Sequence, residues 1–311
     1  MDPALFRSDI EAKPESMRTL AAELRGADPF TRLQAVERVV FLGMGSSRYA
    51  ATVAAHRLRR AGIDAVAEYA SALPAPARAG TLVVAISATG ASREVLDALP
   101  AYPGHVALTN VAGSPVTEGA SLVVPMLAGE EKGGVACRSF QHTLALLLAL
   151  ENRLTGAGRD LPGLLERAAE ASEDLLEGRW LAAAGPLLDS SDGLYAIAPY
   201  ERISSAEQSA LMVREGPRRP ADACETGDWA HVDVYLTKTR DYRALLFPGS
   251  RYDAQVMEWI NLRGSTVVTV GGQVRGARAA VRYRHDTDPD VALLTETLVA
   301  ELLAATWWSR G

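Results

Sequence analysis

Arg38-Val-Val-Phe-Leu-Gly43-Met-Gly45-Ser46-Ser47-Arg48 is an apolar, β-branched run that ends in a glycine- and serine-rich turn and leads into a helix-forming stretch from Arg48 to Ala61. A run with both faces apolar, closed by turn residues, reads as a strand buried in a parallel sheet. The same grammar recurs outward along the chain. Strand-like runs fall at Asp64 to Tyr69, Thr81 to Ile86, His105 to Leu108 and Ser121 to Met126. A helix from Ala91 to Leu99 separates two of them, and a long apolar helix from about Cys137 to Leu154 follows. Upstream, the first 35 residues read as amphipathic helix, with Ser16 to Leu24 at helical spacing.

Beyond a polar helical connector at about Leu161 to Glu177 the plan repeats. Strands are expected at Gly193 to Ala198, Tyr242 to Phe247 and Ser265 to Val270, with an edge strand at Val281 to Arg284. Helices are expected at Ser204 to Glu215, Tyr252 to Leu262 and Val291 to Trp308. Strands alternating with helices predict an α/β fold of two doubly wound parallel sheets in tandem, flavodoxin-like in type. The expected organisation is a helical segment over residues 1–35, a first sheet domain over 36–156, a connecting helix over 157–185 and a second sheet domain over 186–311.

Composition narrows the partners. A formal net charge of −6 offers nothing general to attract a phosphate polymer, so nucleic acid is not expected. Two cysteines, Cys137 and Cys224, cannot make a stapled scaffold or a multi-cysteine zinc site. The histidines are dispersed, and neither a metal nor another cofactor is expected. No basic segment followed by an apolar core opens the chain, and the longest apolar run, Leu144 to Leu150, falls short of the roughly 20 residues that cross a bilayer. A soluble, cytoplasmic protein without a membrane partner is the expectation.

In an open parallel sheet, ligands sit beyond the C-terminal ends of strands, where helix N-termini present N–H groups. Two turns have a fitting composition: Gly43-Met44-Gly45-Ser46-Ser47-Arg48 and Ser87-Ala88-Thr89-Gly90-Ala91-Ser92. Their glycines let backbone approach an anion, and their hydroxyls donate without adding charge. A phosphate monoester held by neutral donors suits an acidic chain. The bland alternative is that each hydroxyl only caps a helix. A dinucleotide fingerprint is a weaker rival: Gly43-x-Gly45 begins it and Glu68 stands near the ribose position, but the next glycine is Gly62.

At these turns the chain resembles the sugar isomerase (SIS) domain family, in particular the tandem isomerase half of the glutamine–fructose-6-phosphate aminotransferases. That half carries Gly-x-Gly-Thr-Ser and Ser-x-Ser-Gly-Glu-Thr loops. Leu108-Thr-Asn110-Val-Ala-Gly113-Ser114, Glu131-Lys132 before Cys137-Arg138-Ser139-Phe140, and Asp9-Ile-Glu11-Ala-Lys-Pro14 resemble further family segments in order. The resemblance implies a sugar-phosphate site made by Gly45, Ser46, Ser47, Ser87, Ala88, Thr89, Gly90, Ser92 and Lys132, with Ser47, Ser87, Thr89 and Ser92 on the phosphate-binding hydroxyl positions.

Moving a proton between C1 and C2 of a sugar needs one base over both carbons and a group to open the ring. A carboxylate serves when partial burial raises its pKa. Ala210-Leu-Met-Val-Arg-Glu215 and Gly227-Asp-Trp-Ala-His231 resemble the family's proton-shuttling glutamate and ring-opening histidine segments at matching separation. By that resemblance Glu215 and His231 are the catalytic candidates, and His231 is contributed across a homodimer interface. His56, His105 and His285 read as structural, while His142 has no matched role.

The departures are informative. Met212 and Ala88 stand where the family has lysine and glutamine, and Ala198-Pro199-Tyr200 replaces a second Gly-x-Gly turn. A second phosphate cradle is therefore not expected. Lysine occurs only at Lys13, Lys132 and Lys238, neither the glutaminase half nor the lysine-bearing tail is in the sequence, and Lys132 is expected nearest the first-half site. The implied function is that of a phosphosugar isomerase or amino-sugar-phosphate isomerase-deaminase. The alternatives are a fructosamine-phosphate deglycase and a non-catalytic sugar-phosphate sensor.

Overall fold

The computed structural model describes residues 1–34, 36–76 and 78–310. In chain order its elements are α1 (Pro3–Glu11), α2 (Lys13–Gly26), β1 (Arg38–Gly43), α3 (Gly45–Arg60), β2 (Asp64–Tyr69), β3 (Thr81–Ile86), α4 (Arg93–Ala98), β4 (Val106–Thr109), β5 (Leu122–Pro125) and α5 (Arg138–Thr155). There follow α6 (Leu161–Leu176), α7 (Leu181–Leu188), β6 (Leu194–Ala198), α8 (Ile203–Glu215), β7 (Ala221–Glu225), β8 (Arg243–Leu246), α9 (Asp253–Arg263), β9 (Thr266–Val270), β10 (Ala279–Val281), α10 (Pro289–Thr295) and α11 (Leu298–Trp308).

The strands form two five-stranded sheets, ordered β2-β1-β3-β4-β5 and β10-β9-β8-β6-β7, and every pairing is parallel. Read from β7, the second sheet has the order of the first. In each the order reverses beside the first strand, between β1 and β3 and between β6 and β8, which is where open α/β sheets place ligands. The α/β doubly wound class is as the alternating pattern predicts.

The chain divides into two compact units. One comprises Glu15–Glu130 and Arg138–Glu166 and holds the first sheet. The other comprises Met1–Pro14, Glu131–Cys137 and the chain from Arg167 onward, and holds the second. The short segment 131–137 thus groups with α1 and the second sheet.

In the first unit, Val40, Leu42, Val83, Ala85 and Ala107 line one face of the sheet and pack with Val95 and Ala98 of α4, Tyr102 and Val116. Helix α5 is buried continuously from Arg138 to Leu150, the polar residues of its first half included. In the second unit, Tyr195, Ile197, Ala244, Leu246 and Val267 of the sheet pack with Val256, Met257 and Ile260 of α9 and with Trp229 and Tyr242.

Two elements were not expected. Strand β7, Ala-Asp-Ala-Cys-Glu, lacks β-branched residues and is partly exposed, yet it pairs residue for residue with β6 from Leu194↔Ala221 to Ala198↔Glu225. Helix α7 forms around Pro186, which ordinarily argues against a helix interior. The expected final helix is two, α10 and α11, and the last edge strand is Ala279–Val281 rather than 281–284. The stretch Pro289–Trp308 is long and apolar enough to cross a membrane, but most of it is buried within the unit, as in the core helix of a globular fold.

That buried stretch carries a charge. Lys13 Nζ donates to both oxygens of Glu301 at 2.6 Å, and both side chains are fully buried. Such a pair is costly to break and cheap to replace, because deleting one partner strands a charge in low dielectric. Lys13→Met should therefore lower the unfolding free energy by about 3–5 kcal/mol in urea titrations, whereas Lys13→Met with Glu301→Leu should recover most of that loss.

Candidate functional site

Strand β1 ends at Gly43, where an added Cβ would press on Ser47 Cβ at 3.0 Å, so the strand end and the first turn of α3 touch closely. Gly45, at φ +47°, makes the turn. The N-cap position of α3 is Met44, whose side chain caps nothing. Ser46 and Ser47 lie half-buried on that uncapped first turn.

The register Leu42↔Ala85 puts the second turn at the end of the neighbouring strand. Gly90 N donates to Ser87 O at 2.9 Å, and Ala91 N donates to Thr89 Oγ1 at 3.3 Å. Ser87 and Ser92 hydroxyls are 3.0 Å apart, and Ser92 N donates to Ser87 Oγ at 3.3 Å. Ser92 occupies the N-cap position of α4 without capping it. The capping reading of these hydroxyls therefore does not hold. Ser87 and Ser92 bond each other and Thr89 accepts from Ala91 N, with Ser87 buried and Thr89 exposed.

The turn is braced from behind. Asn110 N donates to Ala88 O at 3.1 Å and Val116 N to Gly90 O at 2.9 Å. Asn110 also clamps the chain beyond β5, donating to Gly129 O at 2.6 Å and accepting from Ala128 N at 2.9 Å. Gly90, at φ +68°, has no room for a side chain: a Cβ would overlap Ser114 Oγ and Cβ. A cavity of about 350 Å³ elsewhere in this unit, floored by Val40, Leu42, Ala98 and Tyr102, includes none of these hydroxyls. His142 is fully buried with one ring nitrogen on Met126 O at 2.7 Å and the other on Ser16 Oγ at 2.8 Å, which commits it to structure.

The remaining candidates belong to the second unit. Glu215 ends α8, half-buried. Burial pushes its carboxyl pKa up, Arg214 opposes this, and the carboxylate of Glu131 adds to it. Fully buried Met212 lies one turn back, and Gln208 one turn further donates to Ala136 O at 2.8 Å and to Met212 Sδ at 3.6 Å. Sequence reasoning missed Gln208; its only signal was its place at i−4 from Met212 and i−7 from Glu215 on one buried stripe. Lys132 is exposed on the 131–137 segment, which groups with the second sheet rather than the first.

His231 is exposed, on a turn with a rigid base. Glu225 Oε2 accepts from Gly227 N at 2.7 Å and Asp228 N at 2.9 Å. Below, Trp229 Nε1 donates to the Tyr242 hydroxyl at 2.8 Å, and that hydroxyl donates to Asp233 Oδ2 at 3.0 Å. Tyr195 stacks on Tyr242 with ring centroids 4.1 Å apart. Burial raises the Asp233 pKa, opposed by the Tyr242 hydrogen bond.

Beside the second reversal point, Arg202, just after β6, is bonded to Glu296 and to Pro248 O, and Gly249 stands where a Cβ would be 3.2 Å from its guanidinium. The protein's own cation fills the place. Nothing in the sequence joins residues 94 apart, so this plug was not legible. Among the described residues no three His, Cys, Asp or Glu side chains converge as metal ligands would.

Residues 32–153 match the family model described as SIS domain. That stretch of the chain is a SIS domain. A glutamine–fructose-6-phosphate aminotransferase (isomerizing) of Aeropyrum pernix is 30% identical over 219 residues, covering 65% of this chain and 36% of the relative. The chain spans about a third of the length of the curated relatives it matches first. Among solved structures, the C-terminal domain of glucosamine-fructose-6-phosphate aminotransferase from Francisella tularensis superposes with a TM-score of 0.81 at 16% identity, over 98% of this chain and 96% of that one. Tagatose-6-phosphate ketose/aldose isomerase from Escherichia coli superposes at 0.78 and 16% identity, over 98% and 94%. At these identities the structures share the fold. The SIS match contains both hydroxyl turns.

Two outcomes follow from the geometry. Gly90→Ala should cost about 1–3 kcal/mol in urea unfolding, and Gly90→Ala with Ser114→Ala should recover only part of it, because the positive φ remains strained. Burial raises the Glu296 carboxyl to about 7, with Arg202 opposing. A carboxyl so raised binds its proton more tightly when folded, so its contribution to stability is full below its unfolded pKa and is lost as pH rises through about 7. Glu296→Gln should flatten the stability–pH curve between about pH 5 and pH 8.

Proposed function

We propose that this protein, whose residues 32–153 match the SIS domain, is an isomerase-type enzyme acting on a sugar phosphate, with an aldose–ketose or amino-sugar-phosphate substrate. The observation that carries the reading is Glu215, a half-buried carboxyl at a helix end whose proton affinity is raised by burial and by a second carboxylate. A base that must both take and return a proton near neutral pH needs that environment. The activities of similar proteins, an isomerizing aminotransferase and a ketose/aldose isomerase, lend support.

In this reading Ser47, Ser87, Thr89 and Ser92 hold the phosphate with neutral donors, helped by the backbone at Gly45, Ser46, Ala88 and Gly90, and Lys132 is the amine that the family resemblance assigns to the substrate. His231 moves a proton from the C1 hydroxyl to the ring oxygen as the ring opens, and it serves the partner's substrate in a homodimer. Glu215 takes the proton from C2, leaving an enediol across C1 and C2, and returns it to C1. The hydroxyl proton moves from O2 to O1, so the product is the isomer with no net gain or loss.

A second reading, a sensor without turnover, is favoured by fully buried Met212 and its neutral neighbour Gln208, which place no amine behind Glu215. One panel separates them. Hexose, pentose, amino-sugar and fructosamine phosphates are screened for thermal stabilisation of the protein, then for conversion. Isomerisation of a stabilising ligand supports the enzyme, and release of a free amino acid from a fructosamine phosphate marks a deglycase. Stabilisation without conversion marks the sensor. For the enzyme, Glu215→Gln should keep ligand stabilisation and lose at least about 10²- to 10⁴-fold in kcat. Unchanged turnover in that variant overturns the assignment.

A further inference from the structure

Helices ordinarily cover both faces of a doubly wound sheet, and part of the first sheet departs from this. On one face α4 packs Val95 and Ala98 with Val83, Ala85 and Ala107, but it is only six residues long. The connection from β2 to β3 shows no helix among its described residues. Beside α4, the face of β1 is therefore roofed by non-helical chain, with the cavity of about 350 Å³ beneath it. That size is within the range of small-molecule sites.

The floor of the cavity is apolar and its two ends are not. Arg38, Val40 and Leu42 alternate along β1, so all three project from one face. Val40 and Leu42 make the floor with Ala98 and Tyr102. Arg38 stands at the strand start, level with Thr81 of β3. Arg78 lies just before β3, its carbonyl accepting from Thr81 N at 3.1 Å. At the other end Leu42 is level with Glu68 of β2. Arg38, Arg78, Thr81 and Glu68 all line the cavity, and the two levels are about 13 Å apart along the strand.

The polar groups at these ends are not used up by the fold. Among the described residues, neither the Arg78 guanidinium nor the Glu68 carboxylate has a hydrogen bond or an ion pair. Arg38 meets Asp64 loosely, at 3.5 Å, and Thr81 Oγ1 is buried with no hydrogen-bond partner. The arginine end thus holds more donors than acceptors, and the glutamate end an acceptor without a donor. The roof leaves the floor uncovered: Leu73, its largest apolar side chain, is 96% exposed. It is tied down by the Tyr102 hydroxyl, which donates to Ala75 O at 3.0 Å.

We propose that this cavity is a ligand site separate from the hydroxyl turns, and that it takes a small amphipathic carboxylic acid. The carboxylate meets Arg38 and Arg78, an apolar body lies over Val40, Leu42 and Tyr102, and a hydrogen-bond donor at the far end meets Glu68. Guanidinium groups suit planar anions. Asp64 offsets one of the two guanidinium charges, so the end carries one net positive charge, which a carboxylate matches and a phosphate dianion exceeds. A sugar phosphate is hydroxylated along its length and would leave those hydroxyls unpaired on the apolar floor. A plain fatty acid would set its tail against the Glu68 charge.

The probe is para-hydroxyphenylbutanoate, which carries a carboxylate, an apolar body and a phenol at its far end. Ligand-observed NMR titration of the whole protein should give a Kd of about 1 mM or tighter. Phenylbutanoate, without the phenol, and para-hydroxyphenylbutanol, without the charge, should each bind at least about fivefold more weakly. Arg78 and Glu68 are exposed, so substitution there should leave the fold intact. Arg78→Gln should weaken both acids alike, by about fivefold to tenfold. Glu68→Ala should weaken the phenol-bearing acid and not weaken phenylbutanoate. Ser92→Ala, at the hydroxyl turns, should change neither, and inorganic phosphate should not displace the probe. Absence of saturable binding to the wild-type protein overturns the proposal, as do affinities indifferent to Arg78→Gln and Glu68→Ala. Loss of affinity in Ser92→Ala, or displacement by phosphate, assigns the acid to the hydroxyl turns and overturns it as well. These titrations read no turnover, so their outcome is independent of the isomerase assignment.

Discussion

Gly90 sits at a φ of +68° with Ser114 Oγ where its side chain would be, and the hydroxyl turn exists because that contact is possible. The backbone of the turn is drawn against the chain after β4, with Asn110 N on Ala88 O and Val116 N on Gly90 O. Once the backbone is fixed, Ser87 and Ser92 can only meet each other and whatever lies above them. An arrangement of hydroxyls and N–H groups without a formal positive charge suits a phosphate monoester on a chain of net charge −6, because it supplies directed donors rather than a field.

The second unit is organised by buried polar contacts between distant segments. Lys13 meets Glu301, Arg202 meets Glu296, and Trp229, Tyr242 and Asp233 form a chain of hydrogen bonds. Each needs its partner, since a lone buried charge or donor costs several kcal/mol. They are weak sources of stability and strong sources of specificity in where α1, α8 and α11 lie. The reversal point between β6 and β8 is the counter-example, where a guanidinium and a buried carboxyl take the place a ligand would occupy in an open sheet.

Much of this was legible in the chain. The strands β1, β3, β4, β6, β8 and β9 are apolar runs bounded by turn residues, so their burial on both faces is written locally. Strand β7 was not, because Ala-Asp-Ala-Cys-Glu has neither alternation nor β-branching and is a strand only through its pairing with β6. Helix α7 defies the local signal of Pro186, and the break between α10 and α11 at Glu296 and Thr297 falls inside a run whose apolar spacing is unbroken. For the candidate residues, the glycine and hydroxyl turns were readable as composition, but that Ser92 leaves α4 uncapped and bonds Ser87 instead was not.

The sequence by itself determined the alternation of strands and helices, the parallel sheets, and the two turns able to offer neutral donors, because these depend on residues close together in the chain. Only the tertiary structure decided that Arg202 meets Glu296 and Pro248 O beside the second reversal point, that Gln208 bonds Ala136 O, and that Glu215 is half-buried. Burial and charge proximity are properties of folded distance. Residues 94 positions apart, Arg202 and Glu296, pair only when packing brings them together and excludes water.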